Sequence, residues 1–167
     1  MKFTLYSNLK TTLFICFFST ISLAQKISFD TYGYPTETII KGVKGSSVLY
    51  VPVEENLNFL NSYAYLEFST SQVIEKNKSH ITVLLNDIPI ETRLLKNENH
   101  IVSFQIPLLK KYISSGFLKI EIKTHLRIGD EICEIYTEDG FWVKLTDQSF
   151  IFKESFAKPK LYTNQNI

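Results

Sequence analysis

Leu118-Lys119-Ile120-Glu121-Ile122-Lys123 alternates apolar and charged residues without a break. A period of two sends successive side chains to opposite faces of a strand, so Leu118, Ile120 and Ile122 point into a core and the charges into water. The same period recurs upstream. Val102, Phe104 and Ile106 alternate with Ser103 and Gln105, and Ile81, Val83 and Leu85 with Thr82 and Leu84. Ala64, Leu66 and Phe68 alternate with Tyr63, Tyr65 and Glu67, and Val48 to Val53 is an apolar run containing Pro52 and closed by Glu54-Glu55-Asn56. Polar stretches such as Glu75-Lys76-Asn77-Lys78-Ser79 separate the runs, and Asn86-Asp87 between Leu85 and Ile88 suits a tight hairpin even without a glycine. One segment, Leu108 to Ile113, looks helical, with Pro107 suited to its first turn and Gly116 to its end. Many strands with one short helical turn predict an all-β fold, an antiparallel, jelly-roll-like β-sandwich.

The composition narrows the function classes. The chain of 167 residues is 44% hydrophobic and carries 18 basic against 17 acidic side chains, which excludes a disordered chain. Six glycines, five prolines and two cysteines exclude a collagen-like repeat and a disulfide scaffold. With charge so nearly balanced, no strong attraction to nucleic acid or anionic lipid is implied. Thirteen Phe and nine Tyr are many for one domain, and aromatics favour strands and sugar-stacking surfaces.

Residues 1–24 read as a secretory signal peptide: Lys2 and Lys10 without an acid, an apolar run from Leu13 to Ile21, and Ser22-Leu23-Ala24 before Gln25. The run is too short for a bilayer span, which takes about 20 apolar residues. The expected organisation is a signal at 1–24, the sandwich at 25–154, and a tail or linker from Ser155, where periodicity stops. Cys16 leaves with the signal and Cys133 remains as the one thiol. Its neighbours Ile132 and Ile135 predict burial in the core near Trp142.

No catalytic, cofactor or metal constellation stands out, so no enzyme and no cofactor is expected. His80, His100 and His125 fall in separate strand regions without a second ligand at metal spacing and read as ordinary strand-end histidines. Gly42 to Gly45 lacks the Lys-Ser/Thr of a phosphate loop, and the acids from Asp130 to Asp139 lack the alternate spacing of a calcium loop. The acids beside Cys133 disfavour a thiolate. Tyr136, Phe141 and Trp142 surround the loop Thr137-Glu138-Asp139-Gly140. Rings stack on the apolar faces of sugars while carboxylates accept from hydroxyls, which makes Tyr136 and Trp142 the candidate carbohydrate-binding residues. A core position is the competing reading for Trp142 and the commoner one for a single Trp in a strand.

An ordered series then carries a family resemblance. Leu66-Glu-Phe-Ser-Thr70 is followed by Ser79-His-Ile-Thr-Val-Leu-Leu-Asn86, Val102-Ser-Phe-Gln-Ile-Pro107 and Gly116-Phe-Leu-Lys-Ile-Glu-Ile-Lys-Thr-His125. Cys133 and Phe141-Trp-Val-Lys-Leu145 before Ser149 complete it. In order and spacing the stretch from Tyr63 to Phe152 resembles the first periplasmic domain of the bacterial cellulose synthase regulatory subunit, the cyclic di-GMP-binding or B subunit. The resemblance implies a non-catalytic, exported periplasmic module that binds or guides a β-glucan. Its implied partner is the membrane-embedded catalytic subunit, through which it associates with the inner membrane. Family members carry further carbohydrate-binding and flavodoxin-like domains and a membrane anchor, so the likeness is to one domain of such a subunit. A secreted sandwich for protein contact or adhesion is the alternative.

Overall fold

A computed structural model describes residues 22–75, 77–96, 100–127 and 140–156. Among them the chain forms two antiparallel sheets packed face to face, as the alternating runs predict. The first sheet contains β1 (Ser22–Ser28), β2 (Thr38–Lys41), β4 (Tyr63–Thr70), β7 (Ile101–Pro107), β10 (Trp142–Leu145) and β11 (Phe150–Phe156). The second contains β3 (Ser46–Pro52), β5 (His80–Leu85), β6 (Ile88–Leu94), β8 (Ile113–Ser114) and β9 (Phe117–His125).

β4 is the spine of the first sheet. β7 runs along one side of it, while β10 and β11 lie end to end along the other, β10 opposite Phe68–Thr70 and β11 opposite Tyr63–Tyr65. The turn between β10 and β11 is fastened to β4 at one residue. Thr146 donates to the Glu67 carbonyl through its N–H (2.9 Å) and to Glu67 Oε1 through its hydroxyl (3.0 Å), and Ser149 Oγ accepts from the Glu67 N–H (2.9 Å). In the second sheet β9 is central, paired with β3 on one side and with β5 and β8 on the other.

The apolar phase of each strand fills the space between the sheets. Leu66, Phe68, Phe104 and Val143 meet Leu49, Val51, Ile81, Leu85, Ile120 and Ile122, all of them buried. Each such side chain contributes roughly 1.5–3 kcal/mol relative to exposure. Phe68 and Phe104 meet edge to face at 5.7 Å, the arrangement that ring quadrupoles favour.

Four elements differ from the sequence reading. The helical expectation over Leu108–Ile113 reduces to a single 3-10 turn at Lys110–Tyr112. Pro107 ends β7, and Gly116 serves the β8–β9 turn at φ +80° rather than a helix end. A second 3-10 turn at Phe29–Tyr32, closed by Gly33 at φ +84°, had no sequence signal strong enough to mark it. The last strand, β11, runs to Phe156, two residues into the segment expected to be tail or linker, with Ser155 opposite Leu23 and the Phe156 N–H on the Asn56 carbonyl. Finally, β1 begins at Ser22, within the expected signal. A chain starting at Gln25 would keep Gln25 to Ser28 opposite Lys153 to Phe150.

Candidate functional site

The outer face of the first sheet carries an aromatic ladder. Tyr63 and Tyr65 on β4 stand opposite Phe152 and Phe150 on β11, with centroids 5.1 Å apart in both pairs and ring planes 21° and 26° from parallel. Lys26 Nζ sits 4.1 Å from the centre of the Phe150 ring. These rings spend their faces on one another and on a cation, so the ladder fastens strands.

Trp142 lies on this same outer face. Phe141 is 1% exposed and fills the core ahead of β10, and the alternation from it buries Val143 and Leu145 and turns Trp142 and Lys144 outward. Trp142 is half-buried there, and Phe141 takes the core place that was the competing reading for Trp142. Tyr136, the other candidate, and Cys133 with its acidic loop lie outside the described residues.

A better-furnished cleft opens on the second sheet. Two hairpin tips stand side by side. Asn86 (φ +46°) and Asp87 (φ +68°) link β5 to β6, and Ser115 (φ +50°) and Gly116 (φ +80°) link β8 to β9. Positive φ at both central residues is the mirror-image turn that matches strand twist, and Asn and Asp tolerate it better than other non-glycine residues. The Asn86 N–H donates to the Lys119 carbonyl (3.0 Å) and Asn86 Oδ1 accepts from the Lys119 N–H (3.2 Å), which locks the tip against β9.

Between the tips and β3 lies a cleft of about 420 Å³ lined by Tyr50, Asn86, Asp87, Ser114, Phe117 and Lys119, together with Ser115. Tyr50 is 51% exposed and Phe117 47%, so both rings offer open surface, unlike those of the ladder. Lys119 Nζ donates to Asp87 Oδ1 at 2.6 Å. That hydrogen bond holds the Asp87 carboxyl below the usual carboxylate range and raises the lysine. At neutral pH the cleft therefore presents a fixed carboxylate and ammonium beside two rings and two hydroxyls. Rings and polar groups of these kinds match the apolar faces and hydroxyl edges of sugars.

The sequence marked the Asn86-Asp87 hairpin and missed the cleft. Its available signal was phase: Tyr50 falls between the inward Leu49 and Val51, so its ring must face outward. Pairing also joins two histidines that the sequence keeps apart, His80 on β5 and His125 on β9, which stack at 5.1 Å. Among the described residues no group of three or more His, Cys, Asp or Glu side chains is placed to hold a metal. Nor is any described helix long and apolar enough to cross a membrane.

No curated protein matches the sequence. A family model described as cellulose synthase BcsB, first CBM domain, matches residues 22–153, from the first residue of β1 to the middle of β11. The chain thus belongs to the family of the first carbohydrate-binding domain of cellulose synthase BcsB.

Proposed function

We propose that this cellulose synthase accessory carbohydrate-binding module is a non-catalytic, periplasmic part of the synthase that binds or guides the exported β-glucan. The family match carries the reading; the cleft at Tyr50 and Phe117 supplies the chemistry for it. In this account the Tyr50 and Phe117 rings take the faces of successive sugar units, and Asp87 accepts from a hydroxyl while Lys119 donates to one. Trp142, half-buried on the first sheet's outer face, and Tyr136, outside the described residues, are proposed as further carbohydrate-binding residues. Export by residues 1–24 and contact with the membrane-embedded catalytic subunit belong to the same proposal. They rest on the signal-like N-terminus and on the family.

One module stacking one or two rings binds weakly, because ordering a flexible chain opposes the few kcal/mol of contact. A polymer held at several modules at once is still retained. Electrophoresis through gels containing a soluble β-glucan tests the reading: retardation of the folded protein is expected, and Tyr50→Ala should reduce it. Migration unchanged by any β-glucan would move the reading to a protein-contact module.

A further inference from the structure

The aromatic cleft lies at one end of a longer feature of the second sheet. β3 and β9 pair from Ser46 opposite Lys123 to Pro52 opposite Phe117. Leu49, Val51, Leu118, Ile120 and Ile122 point into the core, so the alternate positions face outward. Beyond Tyr50 and Phe117, β3 there presents Val48 and Ser46, while β9 presents Lys119, Glu121 and Lys123. An uncharged column thus runs beside a charged one.

The charged column is balanced within itself. Lys119 Nζ donates to Asp87 Oδ1 at 2.6 Å and lies 3.9 Å from Glu121 Oε2, while Lys123 Nζ lies 3.3 Å from Glu121 Oε1. Signs alternate along it, and each ammonium has three donors, so an ion-paired lysine still has N–H groups to offer. Such a column suits a neutral ligand with hydroxyls at intervals better than it suits an ion. At its far end a second cleft, of about 530 Å³, opens on the same face. Ser46, Thr82, His80 and Lys123 lie in its lining, and Pro89 adds an exposed apolar ring. The nine residues of β9 run roughly 27 Å at about 3.4 Å per residue, the reach of several sugar units.

We infer that the two clefts are the ends of one track, along which an internal stretch of an unbranched β-glucan lies parallel to β3 and β9. The inference rests on the β-glucan reading of the aromatic cleft and adds to it the far subsite and the direction of the chain. Sugar faces lie over Phe117, Tyr50 and Val48, and the hydroxyl edge follows Lys119 and Lys123. One chain held at both ends binds more tightly than either end alone holds it, because the second contact is intramolecular.

NMR titrations of the whole folded protein with cellobiose and cellohexaose test the track. Cellohexaose should shift Tyr50 and Phe117 at one end and His80 and Thr82 at the other, with one common affinity about tenfold or more above that of cellobiose. Tyr50→Ala should weaken the cellohexaose titration read at His80 by about fivefold or more, as the loss of a central ring contact predicts. Reciprocally, Lys123→Ala should weaken the titration read at Tyr50. A His80 titration unchanged by Tyr50→Ala, or a Tyr50 titration unchanged by Lys123→Ala, would make the clefts independent and overturn the track. Shifts confined to Tyr50 and Phe117, or equal affinity for the two sugars, would overturn it as well. Each of these results leaves the β-glucan reading of the aromatic cleft standing. No shift at either end with either sugar fails that reading and the track together.

Discussion

Lys153 Nζ, on the inward side of β11, donates a 2.7 Å hydrogen bond to the carbonyl of Pro52 at the end of β3, so one buried side chain ties the two sheets together. Lys153 is 4% exposed. Burial lowers its pKa, partly opposed by the charge of Glu54, and the Tyr32 ring lies 5.3 Å from its Nζ. Truncating it leaves the Pro52 carbonyl without this partner at the sheet junction, at a cost of about 1–3 kcal/mol. Lys153→Ala should lower the urea midpoint accordingly with an unchanged slope. An unchanged midpoint would show that the tie contributes nothing.

The same corner predicts an alkaline transition. The Tyr32 hydroxyl is buried with no hydrogen-bond partner among the described residues, and burial followed by the charge of Glu54 pushes its pKa up to about 12 from 10.0. The folded state therefore holds this proton longer than the unfolded chain. The stabilisation is fully present below pH 10 and is lost as pH rises toward 12. Lys153 has the opposite sign: its lowered pKa means stability rises as pH climbs through the depressed value toward 10.5. Melting curves from pH 9 upward should fall more steeply for the natural chain than for Tyr32→Phe. Parallel curves would contradict the assignment.

How far the sequence discloses this molecule depends on the strand. Leu118 to Lys123 and Tyr63 to Phe68 show their phase because apolar residues take the core face and polar or aromatic ones the outer face, although Glu121 is itself buried. β11 hides its phase, because its inward positions are Ile151 and Lys153 while Phe150 and Phe152 face outward. Polarity there runs against burial. β6 hides for another reason: at the sheet edge most of its residues are exposed, so no apolar face is required. The candidate site was legible only in part, since Asn86-Asp87 announces a turn but its approach to Phe117 depends on pairing between distant strands.

Phe141, just ahead of β10, and Trp142, its first residue, give a direct comparison of a core and an outer position. Phe141→Ala removes a fully buried ring and should cost about 3–5 kcal/mol. Trp142→Phe, on the outer face, should cost less than about 1 kcal/mol, within the range of a surface change. Chemical denaturation of both variants checks this, and a larger loss for Trp142→Phe would return that residue to the core.

The cleft's charge pair predicts a specific acid titration. The Lys119 ammonium, hydrogen-bonded to Asp87, is the largest cause of that carboxyl's lowered pKa. Lys119→Met should return Asp87 toward 3.8, followed by NMR of its carboxyl carbon. In the natural chain the pair's stabilisation is present above pH 3.8 and lost as pH falls through the lowered value. An Asp87 titration unmoved by Lys119→Met would separate the two groups in solution.

Binding of a β-glucan on the second sheet's outer face is read by an NMR titration with soluble cello-oligosaccharides. Saturable shifts are expected at Tyr50, Asn86, Asp87 and Phe117, abolished in Tyr50→Ala and in Phe117→Ala at unchanged fold. No shift at these residues at millimolar oligosaccharide, in a domain shown to be folded, would contradict it.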